Sequence, residues 1–420
     1  MRQNIITMGN NVYLASKPRY EILDGLRGVA SVLVVLFHLL ETYSGGQATQ
    51  IINHGYLAVD FFFVLSGFVI GYAYDDRWDK MTTWGFFKRR LVRLQPMVIM
   101  GTVLGACFYF FAQGEGFSQI GNVSGWMVLA AFVMGCLMIP CGVGMDIRGW
   151  QEMNSFNGPN WSLTWEYLAN IVYAFVLRRL SKVALLLLTI AAAFCTLDLC
   201  LNWNMFDLLT ESRAANAYTV IGGWSLTTEQ VYIGITRLAY PFLSGLLISR
   251  VGRFIRAKGG FWWCSLILVV LFSIPCVGGA DNVLNGIYNA TCILLLFPIV
   301  VMMGAGSEIK GKRSTAICTF LGDLSYPLYI THYPLMYMQM NWAWSHPGAP
   351  MYAHIMVGVS VFALSVGMAY ACLKLYDLPL RKWLTDNWLK KRQRVNRTHN
   401  SKTKREKVET FSLHSQSTQS

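Results

Sequence analysis

Apolar residues recur along this chain in runs of roughly 20, separated by short polar and basic stretches. A run of that length, folded as an α-helix, crosses the hydrocarbon core of a bilayer. Backbone polar groups in that layer must be satisfied within their own segment, which favours helices. The pattern therefore predicts an all-α, polytopic integral membrane helical bundle. The candidate spans are 22–43, 55–75, 94–113, 124–140, 161–180, 183–203, 229–250, 260–278, 282–304, 320–340 and 352–376.

The basic residues between these runs argue against eleven crossings. Lys17 and Arg19 place the N-terminus in the cytoplasm under the positive-inside rule. Eleven spans would then send the later basic clusters and the C-terminal tail outside, whereas ten spans return them all to the cytoplasm. The run at 124–140 is the weakest, because it is short, contains Gly135 and stops at Pro140. It is predicted to be re-entrant or interfacial, which leaves about ten spans and two cytoplasmic termini.

Composition supports the membrane class and narrows the partners. The 420 residues are 54% hydrophobic and only 14% charged. Much of the formal charge of +13 lies between positions 381 and 407, where eleven Lys or Arg face two acidic residues. Such a run is typical of a solvated or lipid-facing cytoplasmic tail, so no nucleic acid is expected as a partner. The expected organisation is a cytoplasmic segment 1–19, a membrane domain 20–384 and a basic, disordered cytoplasmic tail 385–420.

The ten cysteines are scattered through apolar runs without any C-x-x-C pair. Isolated cysteines in such runs behave as small buried apolar residues. Neither a disulfide framework nor a metal site is therefore predicted.

Two polar residues interrupt the first apolar run, DGLRGVASVLVVLFHLLE. Arg27 and His38 are eleven positions apart, which amounts to about three turns plus 20° and a rise of about 16 Å. The two side chains therefore share one face of the helix, near opposite membrane surfaces. Alone, Arg27 is typical of an interfacial anchor and His38 of a hydrogen-bonded structural histidine. Together they favour a functional face, because ionisable groups within a span usually face the bundle interior or a cavity.

Further polar residues interrupt the other runs. Asp60 lies near the outer end of its run, at the depth of His38, where a carboxylate would fix the imidazole tautomer. Glu166 follows two tryptophans at the outer end of a later run. A cationic patch at the cytoplasmic mouth, which by itself would be an ordinary topology signal, comprises Arg89, Arg90 and Arg93. The remaining candidates, expected to line an internal polar cavity, are Ser66, Trp161, Ser325, Tyr326, Tyr329 and His332.

Five motifs follow one another along the chain. The first is an arginine followed, after ten residues, by a histidine, here Arg27 and His38. The other four are AVDFFFVLSGF from residue 58, RRLVRLQP, WSLTWE and LSYPLYITHYP, and a weaker, sixth match lies at Asp377, Pro379 and Arg381. From about Tyr20 to Arg381 the chain thereby resembles acyltransferase family 3, whose polytopic membrane enzymes acylate O-antigen, peptidoglycan, nodulation factors and macrolides. The arginine–histidine element is the most specific, and the residues that depart from the family's usual pattern are Ala58, Gln95 and Asp377.

The resemblance implies transfer of an acyl group, commonly acetyl from acetyl-CoA, to a hydroxyl of a carbohydrate or glycolipid acceptor in a bacterial inner membrane. Acetyl-CoA would be a donor substrate, and no permanently bound cofactor is expected. His38 would be the general base, with Glu166 or Asp60 as its orienting carboxylate. A covalent acyl-histidine is an equally open route. The expected contacts of the coenzyme A phosphates are Arg27, Arg89, Arg90 and Arg93, and the expected oxyanion donors are Ser325, Tyr329 and His332.

Two other classes compete with this hypothesis. Intramembrane His, Asp and Glu residues also form the proton relays of transporters and flippases. A carrier is expected to show internal repeats and interrupted helices, and no repeat at a fixed period is evident in the sequence. An inactive scaffold would leave the intramembrane polar residues without a purpose. The sequence therefore favours the enzyme.

Overall fold

The computed structural model describes residues 17–44, 49–276, 278 and 281–390, and these residues form helices and connecting loops without any strand. The helices of the first half are α1 Glu21–Glu41, α2 Ala58–Tyr74, α3 Thr83–Phe108, α4 Gly125–Leu137, α5 Asn160–Phe175, α6 Lys182–Cys200 and α7 Thr228–Val251. Those of the second half are α8 Gly260–Ser273, α9 Val283–Thr291, α10 Phe297–Gly306, α11 Lys312–Thr331, α12 Tyr333–Ser345, α13 Met351–Ala371 and α14 Leu378–Leu384. Single 3₁₀ turns and π-helical turns link several of them.

Seven helical segments of the described chain are long and apolar enough to cross a membrane. The protein is therefore a multi-pass, all-helical membrane protein, as its hydrophobic pattern predicts. These seven segments are Glu21–Glu41, Gly55–Tyr74, Thr83–Phe108, Lys182–Cys200, Thr228–Val251, Val283–Gly306 and Met351–Leu389. The count of ten spans and the re-entrant character of 124–140 stay predictions.

The structure corrects the limits of several predicted spans. Helix α3 begins at Thr83 and not at residue 94, because Thr82 caps it by accepting a hydrogen bond from the Gly85 N–H. The predicted span 320–340 is wrong as one helix, since α11 ends at Thr331 and α12 begins at Tyr333. Pro334 lies in the first turn of α12, where a residue without an N–H is tolerated. The same residue cannot continue α11, because it has no N–H to donate to that helix's hydrogen-bond ladder.

Other predicted spans form short helices. The run at 124–140 folds as the 13-residue α4, which ends at a left-handed Met138. The runs at 161–180 and 260–278 give helices of 16 and 14 residues. At the C-terminal end, helical turns continue to Leu389, beyond the domain limit expected at 384. The proposed segment 1–19 is described only from residue 17 and the proposed tail only as far as residue 390; the rest of both lies outside the described residues.

Two helix pairs form the centre of the bundle, α2 against α7 and α1 against α11. Glycines allow both close approaches. A Cβ atom at Gly67 would collide with the Phe242 carbonyl oxygen of α7, and one at Gly28 would collide with the Leu321 carbonyl of α11. Small residues are the usual means by which membrane helices bring their backbones together. This packing brings the polar faces of α1, α2 and α11 towards one another.

Candidate active site

The polar residues of the bundle lie around two adjacent cavities. The first, here called the arginine cavity, has a volume of about 110 Å³. It is lined by α1, α2, α3, α5 and α11 near the N-terminal end of α1. Its polar lining consists of Arg27, Ser31, Ser66, Arg90, Arg93, Ser162, Glu166, Ser325, Tyr326 and Tyr329. The structure thus brings together most of the residues predicted for donor binding, while Arg89 is not part of this lining.

The arginines of this cavity differ in how far their charge is neutralised. Arg90 donates to Glu166 Oε1 at 2.7 Å, and Ser66 donates to the same oxygen at 3.0 Å. Arg27 donates to Asp24 at 3.1 Å. Arg93 is solvent-exposed and makes no hydrogen bond or ion pair within the described part of the chain. Arg93 is therefore the guanidinium most available to an incoming anion.

The second cavity, here called the histidine cavity, has a volume of about 330 Å³ and lies near the C-terminal end of α1. It is bounded by a histidine, two glutamates, an arginine and three tryptophans. These residues are His38, Glu41, Trp150, Glu152, Trp161, Trp224 and Arg237. A cavity with this mixture of acid–base and aromatic groups is suited to a polar organic substrate.

His38 is held by a carboxylate of its own helix. Its Nδ1 lies 2.8 Å from Oε2 of Glu41, one turn further along α1. A carboxylate can only accept, so this hydrogen bond places a proton on Nδ1 and leaves Nε2 as the basic nitrogen of the neutral ring. Glu41 therefore occupies the position for which the sequence suggested Asp60 or Glu166, and neither of those carboxylates contacts His38.

Asp60 pairs with Arg237 instead. The Arg237 Nη2 donates to Asp60 Oδ2 at 2.7 Å, and its Nε donates to Asp60 Oδ1 at 3.3 Å. Both side chains are almost fully buried. Arg237 also donates to the carbonyls of Tyr56 and Gly222 and lies over the ring of Trp161. Asp60 therefore fixes an arginine in the wall of the histidine cavity, where the pair joins α2 to α7.

His332 lies behind His38 and lines neither cavity. The two imidazole rings are stacked with centroids 5.6 Å apart, and Tyr333 meets His38 edge-on at 4.8 Å. The His332 Nδ1 lies 3.0 Å from the Leu328 carbonyl, while its buried Nε2 has no hydrogen-bond partner in the described residues. His332 therefore supports the position of the His38 ring.

A buried acid closes the other side of the histidine cavity. Glu152 lies in the loop between α4 and α5 and accepts a hydrogen bond of 2.7 Å from the Tyr337 hydroxyl. Burial raises the pKa of Glu152 to about 7, although the Tyr337 hydrogen bond and the charge of Arg148 act in the opposite direction. Arg148 stacks over the Tyr337 ring at 3.7 Å. A carboxyl with this pKa can exchange a proton near neutral pH.

The two cavities meet at Val59 and Tyr329, which line both of them. The Tyr329 hydroxyl lies 2.8 Å from Ser162 Oγ and donates to the Pro159 carbonyl at 3.2 Å. Ser162 lines the arginine cavity and Pro159 lines the histidine cavity. The side chains of α2 and α11 therefore form the wall between the basic chamber and His38.

Two of the predicted oxyanion donors, Ser325 and Tyr329, have hydroxyls that already make hydrogen bonds. Ser325 donates to the Gly322 carbonyl, and Tyr326, predicted only to line the cavity, donates to the Leu94 carbonyl. Both residues line the arginine cavity, whereas Trp161 lines the histidine cavity. Tyr329 is the predicted donor that reaches both.

Several residues of the histidine cavity were not singled out from the sequence. Glu41 could have been found from its i, i+3 spacing to His38, which places both on one helix face. Arg237 could have been found as a cation within an apolar run, opposite in sign to Asp60. Glu152 carried no such signal, because it lies in a loop whose path depends on tertiary packing.

Together these features define a multi-pass membrane enzyme with a basic chamber on one side and a histidine–carboxylate pair on the other. The family model described as the acyltransferase domain matches residues 20–374. The chain belongs to acyltransferase family 3, as its motifs predict. It is an acyltransferase, which decides against the carrier and the inactive scaffold.

The curated relatives include acyltransferases from several bacteria. The chain is 23% identical over 366 residues to acyltransferase MdmB of Streptomyces mycarofaciens, covering 82% of this chain and 88% of that protein. It is 25% identical over 395 residues to O-acetyltransferase OatA of Staphylococcus aureus, covering 87% of this chain and 58% of OatA. It is 34% identical over 163 residues to protein 2 in picA locus of Rhizobium radiobacter, covering 37% of this chain and 81% of that protein.

A fourth relative is the putative peptidoglycan O-acetyltransferase YrhL of Bacillus subtilis, at 23% identity over 372 residues. The match covers 83% of this chain and 53% of YrhL. The chain therefore spans little more than half of the length of YrhL and OatA. No solved structure matches the chain.

Proposed function

We propose that the protein is an O-acyltransferase of a bacterial inner membrane that moves acetyl from acetyl-CoA to a hydroxyl of a carbohydrate-containing acceptor. The observation that carries this proposal is the pair of cavities, one basic and one containing His38, which share Val59 and Tyr329 in their linings. The names of the relatives YrhL and OatA support O-acetylation of a carbohydrate. The positive-inside rule supports a cytoplasmic N-terminus, which puts the arginine cavity on the cytoplasmic side.

The arginine cavity would receive the acyl-thioester end of the donor. Its volume of about 110 Å³ is well below that of pockets that enclose a drug-sized ligand, roughly 300–1,000 Å³. The phosphates of coenzyme A would therefore stay at the mouth. Arg93 is exposed there without a carboxylate partner, and a guanidinium binds phosphate oxygens through charge-assisted hydrogen bonds.

The histidine cavity would receive the acceptor. Three tryptophans in its wall, Trp150, Trp161 and Trp224, offer aromatic surfaces for the apolar faces of sugar rings. Glu152 and the backbone around it offer hydrogen-bond partners for sugar hydroxyls. Arg237 is neutralised by Asp60, so the described lining of the cavity offers no unpaired Lys or Arg that would select an acidic sugar.

His38 would act as the general base of the transfer. Its Nε2 removes the proton of the acceptor hydroxyl, and Glu41 stabilises the imidazolium that forms. The acceptor oxygen forms a C–O bond with the acyl carbon, the C–S bond of the thioester breaks, and the thiolate of coenzyme A takes up the proton. An acyl-histidine intermediate divides the same overall reaction into two steps, with Nε2 as the nucleophile.

The test is acyl transfer by membranes that contain the protein, with radiolabelled acetyl-CoA as donor. His38→Ala should abolish base-labile label in the glycan fraction, because it removes the proton acceptor. The matched control is His346→Ala, which removes an exposed histidine at the end of α12 and should leave the label unchanged. Full activity of His38→Ala would overturn the assignment.

A second arm of the experiment tests the donor. Arg93→Ala should raise the KM for acetyl-CoA by about tenfold, equivalent to about 1.4 kcal/mol and close to the lower end of the range for a hydrogen bond to a charged group. Arg253→Ala removes an exposed arginine after α7 and serves as the control for net charge. Equal effects of the two variants, or no change in either, would contradict the predicted phosphate contact.

A further inference from the structure

We propose that Val59 and Tyr329 form an acyl filter, which limits the transferred group to acetyl and excludes longer acyl chains. This inference rests on the proposed function, because it assumes that the thioester enters the arginine cavity and that the acceptor meets His38. It adds the residues that determine which acyl group is used.

The position of the two residues carries the argument. Val59 and Tyr329 are the residues that line both the arginine cavity and the histidine cavity. An acyl carbon delivered from the first cavity to an acceptor in the second comes past these two side chains. They therefore act on the reacting group itself and not on the coenzyme.

The Tyr329 side of the filter is rigid. Its hydroxyl is held by both Ser162 and the Pro159 carbonyl at the start of α5. Phe62 of α2 packs edge-on against its ring, with centroids 5.6 Å apart. A ring fixed at its tip and on one side cannot rotate away without losing these contacts.

The Val59 side is held through its neighbours on α2. Val59 lies in the first turn of α2, next to Asp60, whose carboxylate is locked by Arg237 of α7. Further along the same helix, Gly67 brings the backbones of α2 and α7 into direct contact. Valine is β-branched and has few rotamers, so its two methyl groups stay where the two cavities meet.

These contacts make the positions of Val59 and Tyr329 a property of the fixed fold. An acetyl group presents one methyl beyond its carbonyl, whereas butyryl presents two further methylenes that must fit beside the arginine cavity's wall. A packed interior responds even to one added methylene. Size selection at Val59 and Tyr329 therefore follows from steric exclusion and needs no additional binding group.

The experiment uses the full-length protein in membranes with acetyl-, propionyl-, butyryl- and hexanoyl-CoA as donors. Base-labile acyl groups on the membrane glycans are measured by mass spectrometry. Val59→Ala removes two methyl groups and should raise the ratio of butyryl to acetyl transfer at least tenfold. Val59→Phe should suppress transfer of every acyl group while acyl-CoA still binds.

The matched control is Val64→Ala. It removes the same two methyl groups from the same helix, at a fully buried position that lines neither cavity. Its cost in stability lowers the amount of folded protein, but the butyryl-to-acetyl ratio does not depend on that amount and should match the unmodified chain. Tyr329→Phe, which loses the hydrogen bonds to α5, should give a smaller rise in the ratio than Val59→Ala.

An unchanged ratio in Val59→Ala would overturn the filter. So would an equal rise in Val64→Ala, or efficient butyryl transfer by the unmodified chain. Absence of transfer from any acyl-CoA by the unmodified chain would instead refute the proposed donor, and the filter with it. Acetyl transfer from acetyl-CoA by the unmodified chain therefore distinguishes failure of the filter from failure of the proposed function.

Discussion

Asp60→Asn separates the two roles that sequence and structure assign to Asp60. The sequence offers Asp60, as an alternative to Glu166, for the carboxylate that orients His38, whereas the structure pairs Asp60 with Arg237 at 2.7 Å. Asparagine keeps the shape of the side chain and one acceptor oxygen but removes the negative charge. The variant should therefore leave the Arg237 guanidinium buried without a counter-ion.

The burial of the pair sets the size of the effect. The side chains of Asp60 and Arg237 are 0% and 2% exposed. Removing one partner of a buried ion pair costs about 3–5 kcal/mol, because the remaining charge is uncompensated. Lys390 and Asp386 show the same 2.7 Å separation, but their side chains are about half exposed. Asp386→Asn should cost less than about 1 kcal/mol, since water screens that pair.

The assay is thermal unfolding of the purified protein in detergent, combined with acyl transfer in membranes. Asp60→Asn should lower the Tm well below that of Asp386→Asn. The double variant Asp60→Leu, Arg237→Met removes both charges together. It should recover most of the lost stability, because buried pairs can often be replaced by apolar residues of similar volume.

Two results would refute this reasoning. An Asp60→Asn protein with an unchanged Tm and no acyl transfer would show that Asp60 acts in the chemistry and does not mainly fix Arg237. A double variant as unstable as Asp60→Asn would show that the loss comes from the shape of the site and not from an unpaired charge.

Three other substitutions test the remaining features. Glu41→Gln should lower kcat by about tenfold to a hundredfold with little change in KM. The glutamine amide can still hold the His38 ring, but it carries no charge that would stabilise the imidazolium. A change in KM alone would contradict this role. The folded protein favours the protonated form of Glu152, whose pKa is raised from 4.5 to about 7. The resulting stabilisation of the fold, about 3 kcal/mol, is complete below about pH 4.5 and is lost as the pH rises through about 7. Glu152→Gln cannot ionise, so its Tm advantage over the unmodified chain should widen across that window, and a constant difference would exclude the raised pKa. Gly67→Ala should reduce the yield of folded protein, because the added Cβ would meet a backbone carbonyl of α7. Gly358→Ala, its control at an open position of α13, should be neutral or slightly stabilising in thermal unfolding in detergent.

The prediction of the membrane class succeeded because it depends on local properties of the chain. Length and hydrophobicity of a run determine whether a helix can cross a bilayer, whatever its neighbours. The same holds for the shared face of Arg27 and His38, which follows from helix geometry alone. The predicted span 320–340 was wrong, because hydropathy does not register that Pro334 interrupts the backbone hydrogen bonds of a helix.

The partners of the polar residues could not be predicted in this way. The depth of Glu166 along α5 places its carboxylate beside Arg90, in the cavity opposite to that of His38. Trp161, only five positions earlier, lines the histidine cavity. Helix α5 therefore lines both cavities. Its packing against α2 and α3 decides which of its side chains lies in the arginine cavity and which in the histidine cavity.

The sequence by itself determined that the chain is helical, that it enters a membrane and that Arg27 and His38 share a face, because each of these follows from the order of residues within one segment. The tertiary structure alone decided that Asp60 holds Arg237, that Glu166 pairs with Arg90 and that Val59 and Tyr329 line both cavities. Those contacts depend on how helices distant in sequence pack, and hydrophobic periodicity gives the face that packs but not the partner that it meets.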